Sequence, residues 1–129
     1  MKVSIGILAY NEEVSIARMI NEVTEQDLFY KTGLDIQFIV IANGCTDQTV
    51  NLANQTLMQV EHHQSKNFSV KDIGQAGKSN AWNKYVHEFA WPDAEYLILL
   101  DADIEFGSTN VLSQLIRALE DNPKAVVSV

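Results

Sequence analysis

Two carboxylates one residue apart, Asp101 and Asp103, directly follow the apolar run from Tyr96 to Leu100. If the backbone stays extended there, both side chains point the same way and can share one divalent cation. Mg²⁺ and Mn²⁺ suit such a site, because hard cations prefer oxygen ligands and Mg²⁺ is often held by one or two carboxylates with phosphates and water. The alternative is that Asp101 caps a turn and Asp103 is solvated. Taken alone, the pair favours this alternative, because two acids after a strand are common.

Polar residues also follow two other apolar segments. Ala9-Tyr10-Asn11-Glu12 ends the segment 3–9, and Asn43-Gly44-Cys45-Thr46-Asp47 follows the segment 36–42. Ligands of open α/β sheets bind outside the carboxyl ends of the strands, where the strand order reverses. In a sheet of order 3-2-1-4 the first and fourth strands are neighbours, so both loops would meet the two acids at one crevice. This convergence favours a nucleotide as the ligand.

Lys78 is the candidate cation for a diphosphate. It ends the loop Gly74-Gln75-Ala76-Gly77-Lys78, just before a helical segment whose apolar residues fall on one face. The first turn of a helix presents free N–H groups that favour anions, and a lysine beside it adds a positive charge. The alternative is a solvated lysine without a role.

The strands that must position these residues are predicted from continuous apolar runs. Such runs predict buried parallel strands at 3–9, 36–42 and 96–100, and the segment 57–61 predicts a short third strand before a polar loop at 62–67. Another strand begins at residue 125. The pair Asn43-Gly44 suits a tight turn with positive φ.

Apolar residues at three- and four-residue spacing predict helices between the strands. Candidate N-caps are Asn11 for the first helix, Thr46 or Asp47 for the second, and Ser108 or Asn110 for the last. Strands that alternate with helices predict an α/β fold, with a doubly wound, mostly parallel sheet and helices on both faces.

The composition excludes several classes of protein. A chain of 129 residues, 47% of them hydrophobic, supports one domain with a substantial core. Nine basic against seventeen acidic residues leave a net charge of −8, which opposes binding to nucleic acid. Cys45 is the single cysteine and cannot form an internal disulfide, and the apolar segment after Met1 is too short to span a bilayer. The sequence therefore predicts a cytoplasmic protein with no transmembrane segment in this chain.

Together these residues resemble the motifs of the family 2 glycosyltransferases with the GT-A fold. The similar segments, in order, are Tyr10-Asn11-Glu12, Asn43-Gly44-Cys45-Thr46-Asp47, Gly77-Lys78-Ser79-Asn80-Ala81-Trp82-Asn83 and Asp101-Ala102-Asp103. The resemblance covers essentially all 129 residues, and four ordered motifs are far more specific than any one of them. The resemblance favours a functional role for Asp101 and Asp103 over the alternative of a turn cap and a solvated acid.

The resemblance implies a nucleotide-diphosphate sugar as donor, Mn²⁺ or Mg²⁺ on its diphosphate, and transfer of the sugar to an unknown acceptor. It implies that Asp103 is the direct metal ligand and that Asp101 contacts the ribose or the metal through water. The residues that it assigns to nucleotide-sugar binding are Ala9, Tyr10, Asn11, Glu12, Asn43, Lys78, Asp101 and Ala102.

The resemblance leaves the nucleotide base open. Tyr10 would pack on the base with Glu12 hydrogen-bonding nearby, the alternatives being a core residue at the strand end and a first-turn acid. Family members typically carry two acids where Ala42 and Asn43 stand, so uridine, guanosine and other bases stay open.

The resemblance also implies that part of the machinery lies elsewhere. In inverting members the general base and most acceptor contacts come from the segment after the D-x-D strand, and this chain ends about where that segment begins. Residues 1–129 are expected to form a single GT-A-type nucleotide-sugar-binding domain, truncated at its C-terminus and without a general base. Membrane association would depend on the missing parts, and the open strand 125–129 should favour self-association. The alternatives are a metal–nucleotide-binding module without turnover and a nucleotidyltransferase.

Overall fold

Five parallel strands form one sheet in the part of the chain that the structure describes. The structure is a computed structural model that describes residues 1–60, 67–121 and 127–128. The strands are β1 Lys2–Ala9, β2 Asp35–Asn43, β3 Phe68–Ile73, β4 Tyr96–Asp101 and β5 Val127–Ser128, in the spatial order β3-β2-β1-β4-β5. The predicted order 3-2-1-4 is confirmed, and the described part of the predicted strand at 125–129 pairs with β4.

Helices cover both faces of this sheet. They are α1 Ile16–Thr24, α2 Thr49–Gln59, α3 Lys78–Lys84 and α4 Val111–Glu120, with a 3₁₀ helix at Asp27–Tyr30 and a π-helix at Tyr85–Phe89 that continues α3. Helices α1, α2 and α4 pack on one face, and α3 with the π-helix packs on the other. The predicted doubly wound α/β arrangement is confirmed.

The first strand, β1, lies at the centre of the sheet between β2 and β4. Every residue from Val3 to Ala9 is buried, because helices cover both faces, and this explains the continuous apolar run. The register pairs Ala9 with Ala42 and Leu8 with Asp101. The three strands therefore end at nearly the same level, and the loops after them meet at one edge.

A chain of buried hydrogen bonds fixes the π-helix on the sheet. Tyr85 Oη donates to Ser4 Oγ at 2.8 Å, Ser4 Oγ donates to Gln37 Oε1 at 2.8 Å, and Gln37 Nε2 donates to the carbonyl of Phe89 at 2.9 Å. Burial raises the pKa of Tyr85 well above its ordinary value, by more than the hydrogen bond with Ser4 lowers it, so the hydroxyl stays a donor. Gly6 makes room for the ring, because a Cβ there would lie 2.8 Å from Tyr85 Cε1.

The third strand is not where the apolar pattern predicted it. Residues 57–59 belong to α2, while residue 61 and positions 62–66 of the predicted loop 62–67 lie outside the described residues. Ala53 and Leu57 are four residues apart and bury against the same core, which is helical spacing. The sequence pattern missed β3 because this strand lies at an edge of the described sheet and exposes Lys71 and Asp72.

The predicted caps of the first two helices are wrong. Ser15 precedes α1 and Gln48 precedes α2, so Asn11, Thr46 and Asp47 do not hold N-cap positions. These three side chains bind between the loops after β1 and β2 instead. Asn11 and Thr46 use their side chains for contacts between the loops, whereas Asp47 makes such a contact and also bonds to Thr49, the first residue of α2.

The last helix begins as predicted, after Asn110. Ser108 Oγ donates to Asn110 Oδ1 at 2.6 Å. The buried Gln26 holds the approach to this helix, because its Nε2 donates to the carbonyl of Ser108 at 2.7 Å and its Oε1 accepts from the Leu112 N–H at 3.1 Å. These bonds fix the chain that connects β4 to α4.

Candidate functional site

A cavity of about 220 Å³ lies at the carboxyl ends of β1, β2 and β4. Its lining residues are Leu8, Ala9, Tyr10, Glu12, Asn43, Lys78, Asp101, Ala102 and Asp103. All but Leu8 are residues that the sequence resemblance assigns to the nucleotide sugar or the metal. Asn11 is the one assigned residue that does not line it. Leu8 was missed because a leucine inside an apolar strand carries no sign of a ligand.

A larger open depression, of about 570 Å³, lies beside α2. Its lining residues are Glu13, Gln48, Asn51, Leu52, Asn54 and Gln55. This lining provides amides and one carboxylate but no cation and no second acid. The smaller cavity gathers charges of both signs and is therefore the candidate site.

The two acids reach the cavity by different routes. Asp101 is the last residue of β4, and the chain turns directly after it, with the Ile104 N–H donating to the carbonyl of Asp101 at 3.4 Å. The condition that the backbone stays extended through Asp103 is therefore not met. The turn brings the exposed Asp103 to the same cavity, and the Ala102 N–H ties it to β1 by donating to the carbonyl of Leu8 at 3.1 Å.

Arg18 supports this turn from α1. Its Nη1 donates to the carbonyl of Ile104 at 3.3 Å, and the same nitrogen pairs with the carboxylate of Glu22 one turn along the helix. Sequence patterns do not indicate this contact, because an arginine on a helix surface is ordinary. Its effect is to hold the backbone on the far side of Asp103.

Lys78 faces Asp101 across the cavity. Its Nζ lies 3.3 Å from Asp101 Oδ1 and 3.4 Å from Oδ2. Side-chain exposures of 69% for Lys78 and 44% for Asp101 leave this pair screened by water, and such pairs typically contribute only about 0–1 kcal/mol. The ammonium is therefore free to exchange Asp101 for another anion at little cost.

The turn after β2 interlocks with the loop before α3. Gly44 has a φ of +66°, as the turn chemistry predicts, and its N–H donates to the carbonyl of Ile73 at 2.7 Å. A Cβ at Gly44 would lie 2.7 Å from the backbone of Ala76. Asn43, which is only 7% exposed, accepts the Gly77 N–H at 3.1 Å with its Oδ1. These contacts bring Lys78 to the end of β2.

Asn11 joins the loops after β1 and β2. It has a φ of +49°, its Oδ1 accepts the Thr46 N–H at 2.8 Å, and its Nδ2 donates to Thr46 Oγ1 at 3.3 Å. Cys45 adds a second link, since its Sγ accepts the Asn11 N–H at 3.4 Å and donates to the carbonyl of Ala9 at 3.3 Å. Cys45 is thus a turn residue with a bonding role, and Asn11 acts between loops.

A second set of reciprocal bonds extends this junction. The Glu13 N–H donates to Asp47 Oδ2 at 3.3 Å, and the Gln48 N–H donates to Glu13 Oε2 at 3.0 Å. Asp47 Oδ1 accepts both the N–H and the hydroxyl of Thr49, at 3.0 and 2.5 Å. Burial raises the pKa of Asp47, but the hydrogen bonds from Thr49 and the nearby backbone outweigh it and hold the pKa below its ordinary value.

Tyr10 and Glu12 stand at the mouth of the cavity. Tyr10 is 55% exposed, so it is not the core residue of the alternative interpretation. Glu12 lies before α1 and is not a first-turn acid; its Oε2 accepts the hydroxyl of Ser15 at 2.7 Å, and its N–H donates to Thr49 Oγ1 at 2.8 Å. The ring face of Tyr10 and the second carboxylate oxygen of Glu12 remain available to a ligand.

The donor set fits a divalent cation that completes its coordination with phosphates and water. Among residues 1–60, 67–121 and 127–128, no group of three or more acids, histidines or cysteines forms a full metal cage. Asp101 and Asp103 supply carboxylate oxygens at one cavity, the ligands that Mg²⁺ and Mn²⁺ prefer. A site of this kind needs a phosphate-bearing partner to hold the cation well.

Comparison with known proteins identifies a solved structure with the same fold. A structure of the mannosyltransferase PcManGT from Pyrobaculum calidifontis, in complex with GDP-Man and Mn²⁺, matches with a TM-score of 0.77 and 21% identity over 91% of this chain. This likeness confirms the predicted GT-A fold. The present chain spans 32% of the length of that protein. No curated protein sequence matches, and within the described ranges no helix is long and apolar enough to cross a bilayer.

The sequence pattern decides the family. The sequence model described as glycosyl transferase family 2 matches residues 4–129, which include all four motifs and every residue that lines the cavity. A match over nearly the whole chain, on a fold that places the motifs at one edge, leaves little room for coincidence. The chain belongs to glycosyl transferase family 2.

Proposed function

We propose that this chain binds a nucleotide-diphosphate sugar together with a divalent cation, as the donor-binding part of a glycosyltransferase. The observation that carries the proposal is the cavity at the ends of β1, β2 and β4, where Asp101, Asp103 and Lys78 meet. Two carboxylates recruit a cation, the cation and the ammonium together attract a diphosphate, and the exposed Tyr10 offers a face for a base. A nucleotide-diphosphate sugar is the ligand class that satisfies all three.

In this proposal Asp103 is the direct ligand of the cation. It is the more exposed of the two acids, and the turn after β4 leaves its carboxylate at the cavity without a salt bridge to Lys78. Asp101, which Lys78 faces, contacts the ribose or reaches the cation through water. The cation, Mn²⁺ or Mg²⁺, supplies charge neutralisation on the leaving diphosphate.

Lys78 is proposed to contact the diphosphate. Its weak, exposed pairing with Asp101 can be given up when the cation neutralises that carboxylate. The ammonium then adds a second positive charge, beside the cation, for an anion in the cavity. The complex of PcManGT with GDP-Man and Mn²⁺ supports a nucleotide-sugar donor and a divalent cation in proteins of this fold.

The acceptor and the general base are not assigned to residues of this chain. Glu12, Asp101 and Asp103 are the carboxylates that line the cavity. In this proposal Asp101 and Asp103 serve the donor and the cation, and Glu12 hydrogen-bonds near the base. Sugar transfer to an acceptor is therefore proposed for the whole protein, with this chain holding the donor.

Calorimetry with Mn²⁺ and either UDP or GDP tests the proposal. The wild-type chain should bind at least one of these nucleotides more tightly with Mn²⁺ than without it. Asp103→Asn should weaken the Mn²⁺-dependent binding by about tenfold or more, because a charged ligand of the cation is lost. Asp121→Asn, at the far end of α4, is the matched control and should bind like wild type. Equal binding by wild type and Asp103→Asn would make the metal assignment wrong.

A further inference from the structure

We propose that Asn43 positions Lys78 for the diphosphate and does not read the base. This inference rests on the proposed function, since it concerns the same site. The sequence resemblance leaves Asn43 as a candidate for base recognition, with an amide that can both donate and accept. The structure favours a different use for the oxygen of that amide.

The oxygen of Asn43 is already engaged. Its Oδ1 accepts the Gly77 N–H at 3.1 Å, and the residue is only 7% exposed at the end of β2. A buried amide oxygen that holds a backbone N–H would lose that bond if it turned toward a ligand, and the N–H would lose its partner. Asn43 is therefore held in place by the loop that precedes Lys78.

Few other contacts hold the loop from Gly74 to Ser79 in place. Every residue from Gly74 to Ser79 is exposed, so little apolar burial fixes this segment. The described contacts that tie its backbone to the sheet are the Gly77–Asn43 bond and the close approach of Ala76 to Gly44. Because this bond lies one residue before Lys78, it fixes the backbone position from which the lysine side chain extends.

The direction of Lys78 follows from this tie. Gly77 has a φ of +144° and directly precedes α3, so its peptide orientation sets the start of the helix and the position of Lys78. From there Nζ reaches to within 3.3 Å of Asp101. Asn43, Gly77, Lys78 and Asp101 thus form one series across the cavity, from β2 to β4.

Amide exchange tests the positioning without any ligand. The Gly77 amide should exchange with solvent at least about tenfold faster in Asn43→Ala than in wild type, because its hydrogen-bond acceptor is gone. Asn43→Asp should retain the protection, because a carboxylate oxygen at the same place accepts the same N–H. Asn54→Ala, an exposed asparagine on α2, is the matched control. An unchanged exchange rate in Asn43→Ala would overturn the positioning role.

Binding of inorganic pyrophosphate, UDP and GDP, each with Mn²⁺, tests the consequence for the site. Asn43→Ala should weaken binding of pyrophosphate by about tenfold and should leave the ratio of UDP to GDP affinity unchanged. In a Lys78→Ala background the same substitution should have no further effect, because Asn43 acts through the lysine. Thermal unfolding of each variant checks that the chain remains folded.

Three outcomes would overturn the inference. A changed UDP to GDP ratio with unchanged pyrophosphate binding would make Asn43 a base-reading residue. Additive losses in the double variant would mean that Asn43 acts independently of Lys78. If the wild-type chain bound none of the three probes, the proposed function would fail and the diphosphate role with it, while the exchange rate of the Gly77 amide would still report the loop contact separately.

Discussion

At the scale of single residues, the ammonium of Lys78 lies beside the carboxylate of Asp101, which would also attract the proposed cation. It lies 3.3 Å from Asp101 Oδ1, and both groups are largely exposed. A protonated amine beside a carboxylate competes with a metal for the same oxygens. Lys78 should therefore oppose metal binding when no nucleotide is present and favour the nucleotide once the metal is bound.

Lys78→Ala should change two affinities in opposite directions. Mn²⁺ alone should bind more tightly to the variant than to wild type, because Asp101 no longer has a competing cation. The complex of Mn²⁺ with UDP or GDP should bind about tenfold more weakly, because the positive charge that contacts the diphosphate is lost. Calorimetry measures both. Lys84→Ala, which removes a partly buried lysine at the end of α3, is the control. A loss of both affinities in Lys78→Ala would contradict the competition.

Most of the cavity residues could be predicted from sequence, because their motifs end apolar strands and parallel strands end at one edge. Asn11 could not be placed this way. Whether an asparagine faces a ligand or the neighbouring loop depends on the local backbone, and here a φ of +49° directs its amide toward Thr46. Arg18 was invisible for a similar reason, since its bond to Ile104 joins residues far apart in sequence.

At the scale of elements, the loops after β1 and β2 form one bonded unit. Asp47 is its main acceptor, because it takes hydrogen bonds from Glu13 and from both donors of Thr49. Hydrogen bonds to an ionised carboxylate are stronger than those between neutral groups. The stability of this unit should therefore depend on the charge of Asp47.

Asp47→Asn should cost stability in a pH-dependent way. The pKa of Asp47 in the folded chain is lower than its ordinary value of 3.8, so the ionised group contributes stability that is fully present above about pH 4 and is lost as the pH falls through the folded pKa. Urea unfolding from pH 7 to pH 3 should show the difference between wild type and variant shrinking at the acid end. Thr49→Val, which removes one donor, should reduce the pH-dependent part, and a difference that stays constant with pH would contradict this role.

The sequence predicted the central strands better than the edge. Strands β1, β2 and β4 are covered on both faces and therefore read as continuous apolar runs. The third strand, β3, exposes Lys71 and Asp72, so its apolar pattern is interrupted, and the apolar end of α2 resembles a strand more closely. The predicted helix cap failed where a contact between loops engaged the same side chain, as at Asn11.

At the scale of the whole molecule, the proposed function assigns this chain one side of a reaction, the binding of the donor. The chain spans 32% of the length of PcManGT. Self-association through the strand at 125–129 stays a prediction. In the described sheet, β5 lies at the edge beside β4.

The 129-residue chain should bind a donor but transfer its sugar slowly. The proposal commits the cavity carboxylates to donor and cation, and general-base catalysis typically contributes about 10²–10⁴-fold. Thermal unfolding with Mn²⁺ and a nucleotide-diphosphate sugar should show stabilisation, since a ligand that binds only the folded state raises the unfolding free energy. Donor consumption in a mixture of acceptors should stay near the background. Rapid, acceptor-dependent consumption would mean that this chain supplies its own base.

The bonded unit formed by the loops after β1 and β2 also determines where binding loses conformational entropy. Reciprocal side-chain and backbone bonds at Asn11, Glu13 and Asp47 already restrict those loops in the free chain, so a ligand that docks against them has little left to order. The exposed segment from Gly74 to Ser79 has no comparable network, and closing it over a diphosphate would immobilise backbone and a long lysine side chain. Most of the entropic cost of binding the proposed donor would thus fall on the segment from Gly74 to Ser79. Substitutions that stiffen this segment without blocking Lys78 would tighten binding with no new contact to the ligand.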